Sequence, residues 1–236
     1  MKQRGMSHVE MILAFVLFIL ALVIALSYAE IDENPSLLEA THASVLKSLE
    51  ENTSVSVETY SVIMLPVAQR NKTTTVILNG TSGKESRVVN YTGSILSNIT
   101  KIGDLVYVDW NEDYGRVIKI QVSDDFNASE GNATDKPAHN ETYYLFSSVY
   151  GERVISEKKF AYLVQAYQNN ISMLKLEWHI PDNRDFSFAL KFSSTEVIAP
   201  AVEIPEGVDV ISTLLRREVA RQNGTREFAG LEVKTW

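Results

Sequence analysis

The hydrophobic pattern of the chain changes character several times, and its longest uniform stretch comes first. Met11 to Leu26 is a run without charge, glycine or proline, apolar around its whole circumference, so it reads as an unbroken helix. With Val9, Ser27, Tyr28 and Ala29 it reaches about 20 residues, the length that crosses a hydrocarbon core of about 30 Å. Lys2 and Arg4 precede the run, and Glu30, Asp32 and Glu33 come after it. That asymmetry predicts a transmembrane helix with its amino terminus in the cytoplasm and the rest of the chain outside.

Pro35, preceded by the capping residue Asn34, predicts a kink or break there and a new helix over 36–51. Leu38, His42, Val45, Leu46 and Leu49 share one face at helical spacing. His42 reads as a boundary residue of that face rather than as a ligand. From Val55 the period shortens. Strands are expected at 55–65, 73–78 and 86–91, followed by a β-hairpin of 104–110 and 115–122 in which Trp110 and Val117 close a four-residue loop. A polar, loop-like stretch fills 124–141. Beyond it the pattern predicts a strand at 142–150 and a surface helix from Glu157 to Tyr167 capped by Ser156. Further strands are expected at 171–180, 186–192, 196–204, 208–215 and 228–236. Arg216-Arg217-Glu218 and Asn223-Gly224 mark turning backbone between the last two.

Composition narrows the possibilities. The chain has 236 residues, net charge −8, 45% hydrophobic residues and no cysteine. A disulfide framework and thiolate metal sites are thereby excluded, and no basic patch points to nucleic acid. Setting aside Lys2, Arg4 and Glu10 leaves 20 basic against 29 acidic residues, net −9, on the outer part.

Candidate chemistry is sparse. His8, His42, His139 and His179 are isolated, without the spacing of a metal site, and neither a phosphate-binding glycine loop nor a Gly-x-Ser-x-Gly elbow occurs. If 171–180 is a strand, Glu177 and His179 share a face as a nominal acid and base, though a solvated face beside a buried Trp178 is the plainer reading. Glu112-Asp113 and Asp124-Asp125 lack the ordered ligand spacing of a calcium loop. No catalytic residue, metal or cofactor is therefore assigned.

Modification is a stronger signal. Asn-x-Ser/Thr occurs at Asn52, Asn71, Asn79, Asn90, Asn98, Asn127, Asn132, Asn140, Asn170 and Asn223, ten of 14 asparagines. Chance would give roughly two, so this acceptor motif is enriched several-fold. A glycan must sit on the surface, so these residues predict solvent-facing loops and strand edges outside the cell.

Glu10 is the remaining anomaly, a carboxylate at the head of the apolar run, where lack of a partner is costly. Arg4-Gly5 followed by Met6-Ser-His-Val-Glu10 and then apolar residues resembles the class III signal peptide of type IV pilins and archaeal pilin-like proteins. The resemblance covers about residues 1–30. It implies cleavage after Gly5 by a prepilin peptidase, a new amino terminus at Met6, and retention of the helix as an assembly element. The freed amine of one subunit would then pair with Glu10 of a neighbour. A secretory signal cut near Ala25-Leu-Ser27 or Ser27-Tyr-Ala29 is the competing reading of the same run.

The expected organisation is a leader (1–5), a transmembrane and assembly helix (6–29), a kinked helical stem (30–51) and a β-rich glycosylated extracellular domain (52–236). The fold class is α+β: a hydrophobic transmembrane helix, then a sandwich-like head with one or two amphipathic helices. Expected partners are membrane lipid, prepilin peptidase, an oligosaccharyltransferase and copies of the chain itself. The expected function is that of a structural or adhesive pilin-like surface subunit, at the cell membrane or in a surface filament. The alternative is a single-pass membrane-anchored glycoprotein that binds without polymerising.

Overall fold

A computed structural model describes residues 8–66, 72–96, 98–110, 115–127, 133, 136–137, 143–193 and 195–236, with the side chains of 8–10 and 25–36 outside the description. The chain is α+β, built on a large mixed sheet. Helix α1 runs His8–Thr53. It includes Pro35 instead of restarting at Ser36, so the expected break is not found. Proline removes one backbone donor from a helix interior, and the helix continues on both sides of that loss.

The expected transmembrane helix is likewise corrected. Among the described residues no helix is long and apolar enough to cross a membrane.

After α1 come β1 (Ser54–Met64), β2 (Lys72–Ile77), β3 (Glu85–Val89), β4 (Ile99–Ile102), β5 (Leu105–Trp110), β6 (Val117–Ser123) and β7 (Tyr144–Ser156). The remaining elements are α2 (Glu157–Asn169), α3 (Ile171–Glu177), β8 (Phe186–Lys191), β9 (Val197–Ile198), β10 (Ile211–Ala220) and β11 (Arg226–Thr235). Eight strands form one sheet in the order β3-β6-β1-β7-β10-β11-β8-β9, and β2-β5-β4 form a second. This is not the two-sheet sandwich expected. The small sheet covers only one end of the large one, and helices cover the other end.

Each covering layer has its own core. At the helical end Val45 and Leu49 of α1, Phe160, Leu163 and Tyr167 of α2, and Leu174 of α3 bury against Phe186, Phe188, Leu190, Leu231 and Val233. Tyr167 meets Phe186 and Phe188 edge-on at 5.3 and 5.5 Å, and its hydroxyl donates to the Phe186 carbonyl at 2.5 Å. The polar tip is thus satisfied inside an aromatic cluster, and burial pushes that phenol up to about 12. At the other end Val62 and Met64, Val76, Val106 and Val108, and Ile118, Ile120 and Val122 close the second core.

That second core explains why the expected 104–122 hairpin does not form. Strand β5 pairs with β2 and β4, while β6 pairs with β1 and β3. Trp110 lies opposite Lys72, and Val117 opposite Ile63. The two strands carry apolar faces that bury each other across the layers, whereas side by side in one sheet those faces would have pointed the same way. The local hairpin is instead β4–β5, with Ile102 opposite Leu105 and Gly103 at φ 59° in the turn.

Two further expectations fail in this region. Residues 171–180 are not a strand, and Arg216-Arg217-Glu218 lie inside β10, not in a turn. Over 196–204 only Val197–Ile198 is a strand. The turn at Asn223-Gly224 is present, closed by the amide of Arg221 donating to the Thr225 carbonyl at 2.9 Å. The loop expected at 124–141 lies largely outside the described residues.

The stripe read from the sequence docks α1 on the helical end. Leu38, His42, Val45 and Leu49 are buried. The His42 ring bridges two hydroxyls, Nδ1 to Thr235 Oγ1 at 3.0 Å and Nε2 to Thr213 Oγ1 at 2.9 Å. Glu50 adds an ion pair to Arg217 at 2.7 Å. At the far corner Arg221 joins Glu157 at 3.1 Å, Glu196 at 2.5 Å and Glu227 at 2.5 Å. It ties the start of α2 to the last hairpin while stacking on Phe192.

Phe186→Ala is expected to cost about 3–5 kcal/mol in chemical denaturation, since it empties a fully enclosed aromatic site. Burial holds His42 below the ordinary imidazole value of 6.5. The unfolded chain therefore takes up a proton before the folded one does, and stability is lost as the pH falls through 6.5 towards the folded value. A His42→Gln variant is expected to lack this part of the pH dependence when melting temperatures are compared between pH 8 and pH 5.

Candidate assembly and modification sites

The residues singled out at the amino terminus fare differently. Gly5 and Met6 lie outside the described residues. Glu10 falls in the first turn of α1, with its side chain outside the description. The next stretch of the helix is described: every large apolar residue of Met11–Ile24 is exposed, from Ile19 at 42% to Phe15 at 65%. Helical residues rotate by 100° each, so these positions cover all sides. A rod this apolar is not stable in water without a cover.

The acceptor asparagines sort by local geometry. Asn79, Asn127, Asn170 and Asn223 are exposed, as is Asn98, and Asn90 is half-buried. Asn71, Asn132 and Asn140 lie outside the described residues. In two sequons the asparagine oxygen takes the hydroxyl of its own threonine. Asn90 Oδ1 accepts from Thr92 Oγ1 at 2.6 Å, and Asn223 Oδ1 from Thr225 Oγ1 at 2.7 Å. Both also accept the backbone amide two residues on, the Asx turn that asparagine favours. The carbonyl group is thereby held by the turn, and the Nδ2 that would carry a glycan is the group left over.

Asn52 differs. It is exposed on the last turn of α1, and its Nδ2 donates to the Ser48 carbonyl at 2.8 Å. A glycan there has to displace a hydrogen bond worth about 0.5–1.5 kcal/mol. Asn170 is a helix cap whose Oδ1 accepts from the Met173 amide at 3.1 Å.

That cap accounts for the fate of Glu177 and His179. Asn170 starts α3, and His179 ends it in the left-handed region at φ 57°. The Ile180 amide donates to the Lys175 carbonyl at 2.8 Å and the His179 amide to the Leu176 carbonyl at 3.2 Å. This is the double closure of a helix terminus that usually uses glycine. Glu177 therefore closes a helix instead of sharing a strand face with His179, and the nominal acid–base pair is not assembled. The missed signal is the Asn170 cap, outweighed by the apolar residues that come after it.

Two acceptor sites are neighbours in space although far apart in sequence. Arg87, buried at the end of the sheet, donates through Nη2 to the Asn127 carbonyl at 2.7 Å and through Nε to the Asn223 carbonyl at 3.4 Å. Gly224 makes this possible: a Cβ there would lie 2.5 Å from Arg87 Cγ, and its φ is +84°. No three His, Asp or Glu side chains converge as metal ligands among the described residues. A recess of about 570 Å³ includes Glu177, Lys158, Lys159 and Trp178. It brings no histidine beside that carboxylate.

Peptide mapping of protein from the native host is expected to find glycans at Asn79 and Asn223, with lower occupancy at Asn52. Thr225→Ala is expected to abolish modification at Asn223 alone. No family model, no curated protein and no solved structure matches this chain.

Proposed function

We propose that the chain is a pilin-like surface subunit with a structural or adhesive role. A prepilin peptidase removes residues 1–5, and the subunit assembles through its apolar helix while the glycosylated head faces outwards. The observation that carries this reading is the bare helix of Met11–Ile24, exposed on every side and joined without interruption to a docked stem. Copies of the same helix are the cover whose chemistry matches it all round, because each apolar rod then removes the others from water.

Glu10 fits the same arrangement. Its carboxylate, otherwise penalised beside apolar residues, pairs with the α-amino group that cleavage creates on Met6 of a neighbour. The sequons support an outward-facing head that an oligosaccharyltransferase modifies.

Amino-terminal sequencing of the mature protein is expected to begin at Met6, and the protein is expected in filaments sheared from cells. Phe15→Asp is expected to lower the sheared fraction on the order of tenfold or more, since a buried unpaired carboxylate costs well over about 1.4 kcal/mol. A mature chain that begins at Met1 or near Glu30, or that never leaves the cells on shearing, overturns the proposal.

A further inference from the structure

Strand β7 has an edge that the described residues leave open. It pairs with β1 along its whole length, but its other neighbour β10 meets it only at Ile155 and Ser156. Helix α1 rides on the β10–β11 arm and passes into β1 with no connecting residue. Among the described residues no strand pairs with Leu145–Val154 on the side away from β1, and all of Leu145–Gly151 is exposed. An open backbone edge of this length is a template for a further strand.

The side chains specify what that strand is. Thr142 to Gly151 carries no charge in a chain of net charge −8, so two copies can meet here without like-charge repulsion. The β1 register skips Ser147: Tyr60 lies opposite Val149, Ser61 opposite Ser148, and Val62 opposite Phe146. Opposed residues share a face, so this bulge puts Phe146 and Val149 on one face and Leu145 and Tyr150 on the other. A second β7 laid antiparallel across a two-fold axis between Ser147 and Ser148 then sets Phe146 against Val149 and Leu145 against Tyr150 on both sides of the axis. These are the aromatic–aliphatic cross-strand pairs that stabilise sheets.

The other described edges match less well. Strands β3 and β9 have five and two residues, and β2 and β4 carry Lys72 and Lys101.

We propose that two copies of the chain join through antiparallel pairing of their β7 edges, extending the large sheet from one head into the next. Phe146, Val149, Leu145 and Tyr150 are 43–57% exposed, and with the bare backbone they offer on the order of 500 Å² per copy, below the roughly 800 Å² of a stable free-standing partner surface. The contact is therefore weak in dilute solution and forms where heads are held close. It is separate from association through the apolar helix.

The absence of cysteine makes a single introduced thiol an unambiguous reporter. Ser148→Cys in the full chain is expected to give a disulfide-linked dimer under mild oxidation on the order of tenfold faster than Ser82→Cys, an exposed site far from β7. Adding Val149→Arg is expected to remove that advantage while the circular dichroism and melting of the head stay unchanged. Adding Phe15→Asp is expected to dismantle helix assembly and leave dimer formation intact at high concentration. Equal cross-linking of the Ser148→Cys and Ser82→Cys chains overturns the proposal. So does a Ser148→Cys chain whose thiol neither cross-links nor reacts with an alkylating agent, since the chain itself would then cover the edge.

Discussion

The apolar stripe of α1 on the β10–β11 arm is the contact on which the rest depends. Leu38, Val45 and Leu49 lie on one face because the helical repeat returns to it every three to four residues, and the aromatic cluster around Phe186 and Phe188 receives Val45 and Leu49. His42 lies within that stripe and joins it to Thr213 and Thr235. The docked helix leads directly into β1, so its position also fixes where the large sheet begins. Loss of this contact would free the stem, the first strand and the bare apolar segment together.

Two cores on one sheet divide the work of the head. The helical core is aromatic and holds the stem, whereas the second is aliphatic and closed by three short strands. Strand β7 gives Ile155 to the first and Tyr144 to the second, and its eleven-pair ladder with β1, from Ser54–Ile155 to Met64–Tyr144, carries the sheet from one to the other. Between them Val55 and Val57 of β1, Val154 of β7, Phe126 and Ala220 bury one another in a third, smaller cluster. Exposed apolar residues and an open edge occur together on β7 only before that cluster, over Leu145–Gly151.

The acceptor sites reflect the same layout. The glycan-bearing candidates among the described residues lie at helix ends, turns and strand termini, where asparagine already stabilises backbone as a cap or an Asx turn. Asn90, Asn170 and Asn223 combine both roles. The exposed middle of β7, by contrast, holds no acceptor motif, so the edge open to another strand is free of sugar along its own length.

The sequence by itself determined whatever depends on local repetition. The apolar run that gives a bare helix, the stripe of Leu38 to Leu49, the Ser156-capped α2, the turn at Asn223-Gly224 and most strand centres are legible because neighbouring residues set periodicity and capping. Tertiary structure decided everything that depends on which surfaces meet. Residues 104–122 resemble a hairpin because proximity in sequence favours one, yet mutual burial across two layers is worth more. Residues 171–177 resemble a strand because seven residues are too few to set a decisive period, and the Asn170 cap with packing of Leu174 makes them a helix. The continuation of α1 through Pro35 has no sequence signal, and neither has the bulge at Ser147, which is set by pairing with β1 far away in the chain.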